Sequence, residues 1–100
     1  MNKEMSVVKT LQNFYIFIPY LLKDYYFLNI LTKELEEIQN SDSTIIVFFK
    51  SCKECYHWHN ILKKYNIRSA QVHSYLKPKK RNLNLESYRE GRSKILLTKD

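Results

Sequence analysis

Thr44-Ile45-Ile46-Val47-Phe48-Phe49 is a run in which every position after the first is large and apolar, and its first four residues are β-branched. A strand with one wet face alternates apolar and polar side chains, whereas an unbroken run suits a central parallel strand covered on both faces. This stretch is therefore expected at mid-sheet. Ser51 follows as an N-cap, with Glu54 three residues on to complete a capping box. Cys55, Trp58, His59 and Leu62 then recur as one stripe of a helix expected to end near Tyr65-Asn66.

The same reading extends in both directions. Upstream, Asn13 to Ile18 is a short apolar, aromatic and β-branched strand, stopped by Pro19, which has no backbone N–H to offer a ladder. Leu21, Tyr25, Leu28, Leu31, Leu35 and Ile38 recur at steps of three and four, so they line one face of a helix from about Leu21 to Gln39. The polar run Asn40-Ser41-Asp42-Ser43 ends it. Downstream, Ile67 to His73 reads as a third strand, and Pro78 to Arg89 as a third helix offering Leu83, Leu85 and Tyr88 for packing. Lys94 to Thr98 reads as a fourth strand. Gly91, the single glycine, stands where a helix needs a left-handed residue to stop.

The order β-α-β-α-β-α-β is the pattern of an α/β fold whose parallel strands are joined by right-handed crossovers. Residues 1–11 are expected as a lead-in and residues 12–100 as a single domain. One hundred residues, 44% hydrophobic and 14% aromatic, supply one core and not two. Two cysteines make no disulfide scaffold, and no basic-then-apolar leader opens these residues, so an intracellular, reducing setting is expected. The most apolar run, Phe14 to Leu22, falls short of the ~20 residues a bilayer span needs and is broken by Pro19, so no membrane segment is expected.

Charge divides unevenly. Residues 1 to 49 carry four Lys against six acids, and residues 50 to 100 carry thirteen Lys or Arg against four acids. The second half is the candidate polyanion face, with a solvated basic surface as the bland alternative.

Three segments together resemble the second RecA-like domain of DEAD-box RNA helicases, from about Thr10 to Asp100. Gln12-Asn13-Phe14-Tyr15-Ile16-Phe17-Ile18-Pro19, with Lys23 and Leu28, is similar to the family's opening strand and first helix. Ile45-Ile46-Val47-Phe48 through Cys55 resembles helicase motif IV, with Ser51 at the usual Thr position. His73-Ser74, Arg81, Tyr88, Gly91 and Ile95-Leu96-Leu97 resemble the stretch from motif IVa into the strand leading to motif V. Cys52-Lys53-Glu54-Cys55 and the Lys23-Asp24-Tyr25 turn are closest to the nucleolar subgroup that acts in ribosomal RNA processing.

This resemblance implies a partial RecA-like, P-loop NTPase-type domain with a parallel sheet of about four strands and flanking helices. It also implies ATP-driven local unwinding of RNA, in which two such domains close over ATP and over a strand held by its phosphates. ATP and Mg belong to the full-length family, and this chain alone is expected to bind neither. Expected partners are single-stranded or structured RNA and the first RecA-like domain, and the expected location is the nucleus or nucleolus. The expected RNA-phosphate contacts are Lys50 and Ser51 after the motif IV strand, and Lys79, Lys80 and Arg81 beside motif IVa. Asp100 stands at the motif V Asp as a remnant of the ATP site.

The sequence also departs from the family pattern. The Gln of motif IVa falls on Pro78 and the Thr of motif V on Lys99, which removes the side chains the family uses there. These residues contain no Arg-rich motif VI and no phosphate loop or Asp-Glu-Ala-Asp box of a first domain, so no ATPase activity is expected from them alone.

Rival readings remain. Cys52-Lys53-Glu54-Cys55-Tyr56-His57-Trp58-His59 invites a zinc site through Cys52, Cys55 and His59, although structural sites usually draw ligand pairs from two segments. Buried, inert cysteines are the expectation. Lys77-Pro78-Lys79-Lys80-Arg81 reads as a localisation signal, a phosphate patch or a solvated helix start. His73 reads as a hydrogen-bonded strand-end residue. The non-enzymatic alternative is a small basic module that binds RNA or protein in its own right.

Overall fold

A computed structural model of the chain describes residues 5–19 and 26–100. In chain order the elements are β1 (Ser6–Lys9), β2 (Asn13–Phe17), α1 (Tyr26–Ile38), β3 (Thr44–Phe49), α2 (Cys52–Lys64), β4 (Ala70–Val72), α3 (Pro78–Arg89) and β5 (Ile95–Lys99). The strands form one sheet in the order β1-β2-β3-β5-β4. β3 lies at its centre, parallel to β2 and to β5, with Ile45 opposite Phe14 on one side and Ile95 on the other. The α/β architecture and the central place of Thr44–Phe49 match expectation.

Right-handed crossovers fix which face each helix covers. Along the sheet, β2 to β3 and β3 to β4 run one way, which puts α1 and α2 on one face. The return from β4 to β5 puts α3 on the other. On the α1/α2 face, Phe14, Ile16, Ile18, Ile45, Val47, Phe49, Ile95 and Leu97 meet Phe27, Leu28, Leu31 and Ile38 of α1 and Cys55, Trp58 and Leu62 of α2. Phe27 sits edge-on to both Phe49 and Trp58, with ring centroids 6.0 and 4.9 Å away. Truncating a ring locked this way costs about 3–5 kcal/mol.

The opposite face is different. Tyr15, Phe17, Ile46, Phe48 and Leu96 point there and remain half-buried. α3 contributes no fully buried side chain, and its Leu83 is 53% exposed. The expectation that β3 is covered on both faces is thus corrected: its burial alternates, full on one side and partial on the other. The apolar residues on the second side stack on one another instead, Phe17 on Phe48 at 4.8 Å.

Two elements differ from the sequence reading, and one expected start is not described. β1 adds a fifth strand, antiparallel to β2, inside the stretch read as lead-in. Its only apolar residues, Val7 and Val8, are exposed, so no alternation betrays it; backbone pairing makes it, and Lys9 reaches Glu34 at 3.7 Å on α1. β4 is shorter than Ile67 to His73, because Asn66 and Ile67 are used to close α2. The start of the first expected helix, Leu21 to Tyr25, lies outside the described residues.

Both later helices end in the same device. Gly91, at φ 81°, donates to the Tyr88 carbonyl while Arg92 donates to Ser87. Asn66, at φ 60°, donates to Lys63 while Ile67 donates to Leu62. Paired bonds of this kind around a left-handed residue satisfy the last carbonyls of a helix, and glycine and asparagine tolerate the conformation best.

Candidate nucleic-acid interface

Parallel strands deliver their following loops to one pole, the carboxyl ends of the sheet, where open α/β folds bind ligands. β3 leads there to Lys50 and Ser51, β4 to His73 and Ser74, and β5 to Asp100. α2 and α3 begin at this pole, so their N-terminal N–H groups face it. The Cys52 sulfur lies 3.6 Å from the Ser74 hydroxyl, which brings the first turn of α2 against the loop that leads into α3. Sequence-distant candidates are thereby gathered at one end of the molecule.

Their availability differs. Ser51 caps α2: its Oγ accepts from the Glu54 N–H at 3.2 Å and donates to the Glu54 carboxylate at 3.1 Å. The Lys50 ammonium meets the Asp100 carboxylate at 2.6 Å. By contrast, α3 starts with Lys77 as an N-cap that makes no side-chain hydrogen bond, followed by Pro78, so the N–H groups of its first turn carry no side-chain cap. Lys79 and Lys80 are exposed and Arg81 is half-buried, and none of them forms an ion pair with a described residue. An uncapped helix start flanked by free cations favours an anion.

Behind this surface lies a polar layer that holds β4. Asn84 of α3 donates to the Gln71 carbonyl at 2.8 Å, and Thr98 donates to the Val72 carbonyl at 2.7 Å. His73 places Nε2 2.8 Å from the Gln71 side-chain oxygen, while its buried Nδ1 has no hydrogen-bond partner among the described residues. Burial, and then the nearby charge of Arg81, hold the His73 pKa below its ordinary value. A neutral ring that donates to Gln71 positions the strand end; it is the hydrogen-bonded strand-end residue expected from sequence.

The three zinc candidates are directed to separate surroundings. Cys55 is fully buried in the core, its thiol pushed up to about 12 by burial, by Cys52 and by Glu54. Cys52 faces Ser74, and His59 Nδ1 lies 2.8 Å from the Ser69 hydroxyl at the start of β4. Among the described residues, no three His, Cys, Asp or Glu side chains gather as a metal cluster.

Sequence reasoning missed Lys63, Lys64 and Arg68. They share the α3 edge of the sheet with Lys79 to Arg81, but no motif marks them. The signal available was an absence of acids: between Glu54 and Glu86 there is no Asp or Glu.

Residues 27–100 match the family of the helicase conserved C-terminal domain. The chain is 32% identical over 99 residues to a Dictyostelium discoideum protein named probable ATP-dependent RNA helicase ddx49, covering 99% of this chain and 18% of that protein. It is 28% identical to the human probable ATP-dependent RNA helicase DDX49, covering 96% of this chain and 20% of the relative. It is 29% identical to the Candida albicans ATP-dependent RNA helicase DBP8, covering 97% and 21%. The chain thus spans about a fifth of the length of these relatives. No solved structure matches it significantly.

Proposed function

Because the chain belongs to the family of the helicase conserved C-terminal domain, we propose that it is the front part of the second RecA-like domain of a DEAD-box-type ATP-dependent RNA helicase, and that its task is to hold RNA by the phosphates. The observation that carries the reading is the uncapped start of α3, with Lys79, Lys80 and Arg81 at the carboxyl pole of the sheet. Phosphates are the anions such a helix start selects, and a grip on phosphates is indifferent to sequence. Relatives named ddx49, DDX49 and DBP8 are ATP-dependent RNA helicases by name, which supports the same chemistry here. We place the activity in ribosomal RNA processing in the nucleolus, on the resemblance of the Cys52 to Cys55 segment.

The residues present do not make an ATP site. At the carboxyl pole Asp100 is already paired with Lys50 and the Glu54 carboxylate is bonded to Ser51, and the one glycine, Gly91, stands at the far end of α3 rather than in a phosphate loop. ATP and Mg therefore enter only with the rest of a full-length helicase, and no step of hydrolysis is assigned to this chain.

The test is binding of unstructured RNA by the 100-residue chain, followed by fluorescence anisotropy over a salt series. Affinity should be weak, fall steeply with salt and show no base preference, and Arg81→Ala should lower the salt slope by roughly 0.7, one phosphate on a single strand. ATP turnover by the purified chain should be absent. Tight binding that ignores salt, or persistent ATPase activity, would overturn the reading.

A further inference from the structure

The net positive charge of this protein comes from one stretch of the chain. Residues 55 to 85 contain Lys63, Lys64, Arg68, Lys77, Lys79, Lys80 and Arg81 and no acid, while the remaining residues carry ten cations and ten acids, so this stretch alone accounts for the net +7. It folds into most of α2, all of β4 and the first turns of α3, and β4 is the edge strand of the sheet. α2 and α3 flank that strand on its two faces. Every ion pair among the described residues lies elsewhere, at Lys9, Lys50 and Arg92. The seven cations therefore stand without a carboxylate partner among the described residues.

At the amino end of β4, opposite the pole described above, this edge opens into a cavity of about 390 Å³ lined by His59, Lys63, Asn66, Ile67, Arg68 and Ser69. No acid lines it. The His59 ring is fixed on the buried Ser69 hydroxyl at 2.8 Å, and the Arg68 guanidinium is steadied by the Arg92 carbonyl at 3.4 Å. Burial first, and then the positive charges of Lys63 and Lys80, disfavour a protonated His59. The span from this cavity to the start of α3 is the length of β4, roughly 10 Å for three residues.

We propose that this cavity is a second phosphate subsite for single-stranded RNA, so that a strand gripped at the start of α3 continues down the open edge of β4 and sets a further phosphate between Lys63 and Arg68. The inference rests on the RNA reading of α3 and adds a direction to it. A short oligonucleotide occupies the first site only, and a longer one reaches both.

Anisotropy with the dinucleotide UpU, which has a single phosphate, and a fifteen-nucleotide oligouridylate tests this. K63E/R68E should leave the short oligonucleotide's affinity unchanged within about twofold and weaken the long one tenfold or more, with a salt slope lower by roughly 0.7, the one further phosphate. K33E/R89E makes the same charge change at exposed positions outside the acid-free stretch and the cavity, and should spare the long oligonucleotide by comparison. Thermal melting confirms that the variants are folded. Equal losses in the two double variants, or an unchanged affinity of K63E/R68E for the long oligonucleotide, would overturn the subsite while leaving the site at α3 standing. No binding of either oligonucleotide by the wild-type chain would overturn both.

Discussion

The ammonium of Lys50 and the carboxylate of Asp100 meet at 2.6 Å across the carboxyl ends of β3 and β5, fifty residues apart in sequence. With the two side chains 41% and 40% exposed, the pair adds little to stability, of order 0–1 kcal/mol. Its larger effect is to neutralise a cation at the pole where phosphate is expected. Asp100→Asn should therefore tighten binding of unstructured RNA a few-fold while moving the urea midpoint only slightly. An affinity that stays the same or weakens would remove Lys50 from the set of phosphate contacts.

Gly91 closes α3 at φ 81°, and a methyl group added there would meet nothing within 4 Å. Gly91→Ala thus isolates backbone strain from steric clash, and the expected loss is about 1 kcal/mol. Asn66 holds the equivalent place on α2 at φ 60°, where Asn66→Gly should be close to neutral. Chemical denaturation of the two variants compares them directly, and a Gly91→Ala protein as stable as the parent would contradict the account of the cap.

How much of this was legible in the sequence follows from which force sets each feature. Thr44–Phe49 and Pro78–Arg89 have the boundaries read from apolar runs, Pro78 and Gly91, because those signals are local. β1 was not legible: Val7 and Val8 are exposed, and only backbone pairing with β2 makes the strand. Local chemistry also overstated β4, since Asn66 and Ile67 serve the cap of α2. The site divides the same way. Ser51 and the cations of α3 stand where helix starts were expected, but Lys63 and Arg68 face one cavity only because α2 turns back beside an edge strand.

The second face of the sheet carries Tyr15, Phe17, Ile46, Phe48 and Leu96 only half-buried, an apolar surface of the kind that drives association. The isolated chain should self-associate in a concentration-dependent way in sedimentation velocity. Replacing Ile46 and Leu96 together by Thr, which keeps strand propensity, should shift the population toward monomer. An unchanged distribution would place the contact on another surface.

His59 and His73 make folding sensitive to mild acid. Both rings are held below the ordinary His value of 6.5, His59 by burial and then by Lys63 and Lys80, His73 by burial and then by Arg81. In the unfolded chain they titrate near 6.5, so below that pH the unfolded state takes up protons that the folded state resists. Stability depends on pH through the excess of protons bound by the unfolded chain, and here that excess is positive. The contribution is present in full above about pH 7 and is lost as pH falls through 6.5 toward the lower folded values. The urea midpoint should therefore drop between pH 7.5 and pH 5.5 in the parent chain. The double change of His59 and His73 to Gln should flatten that dependence, whatever it does to stability at pH 7.5. A double variant that loses stability with acid as steeply as the parent would assign the effect to other groups.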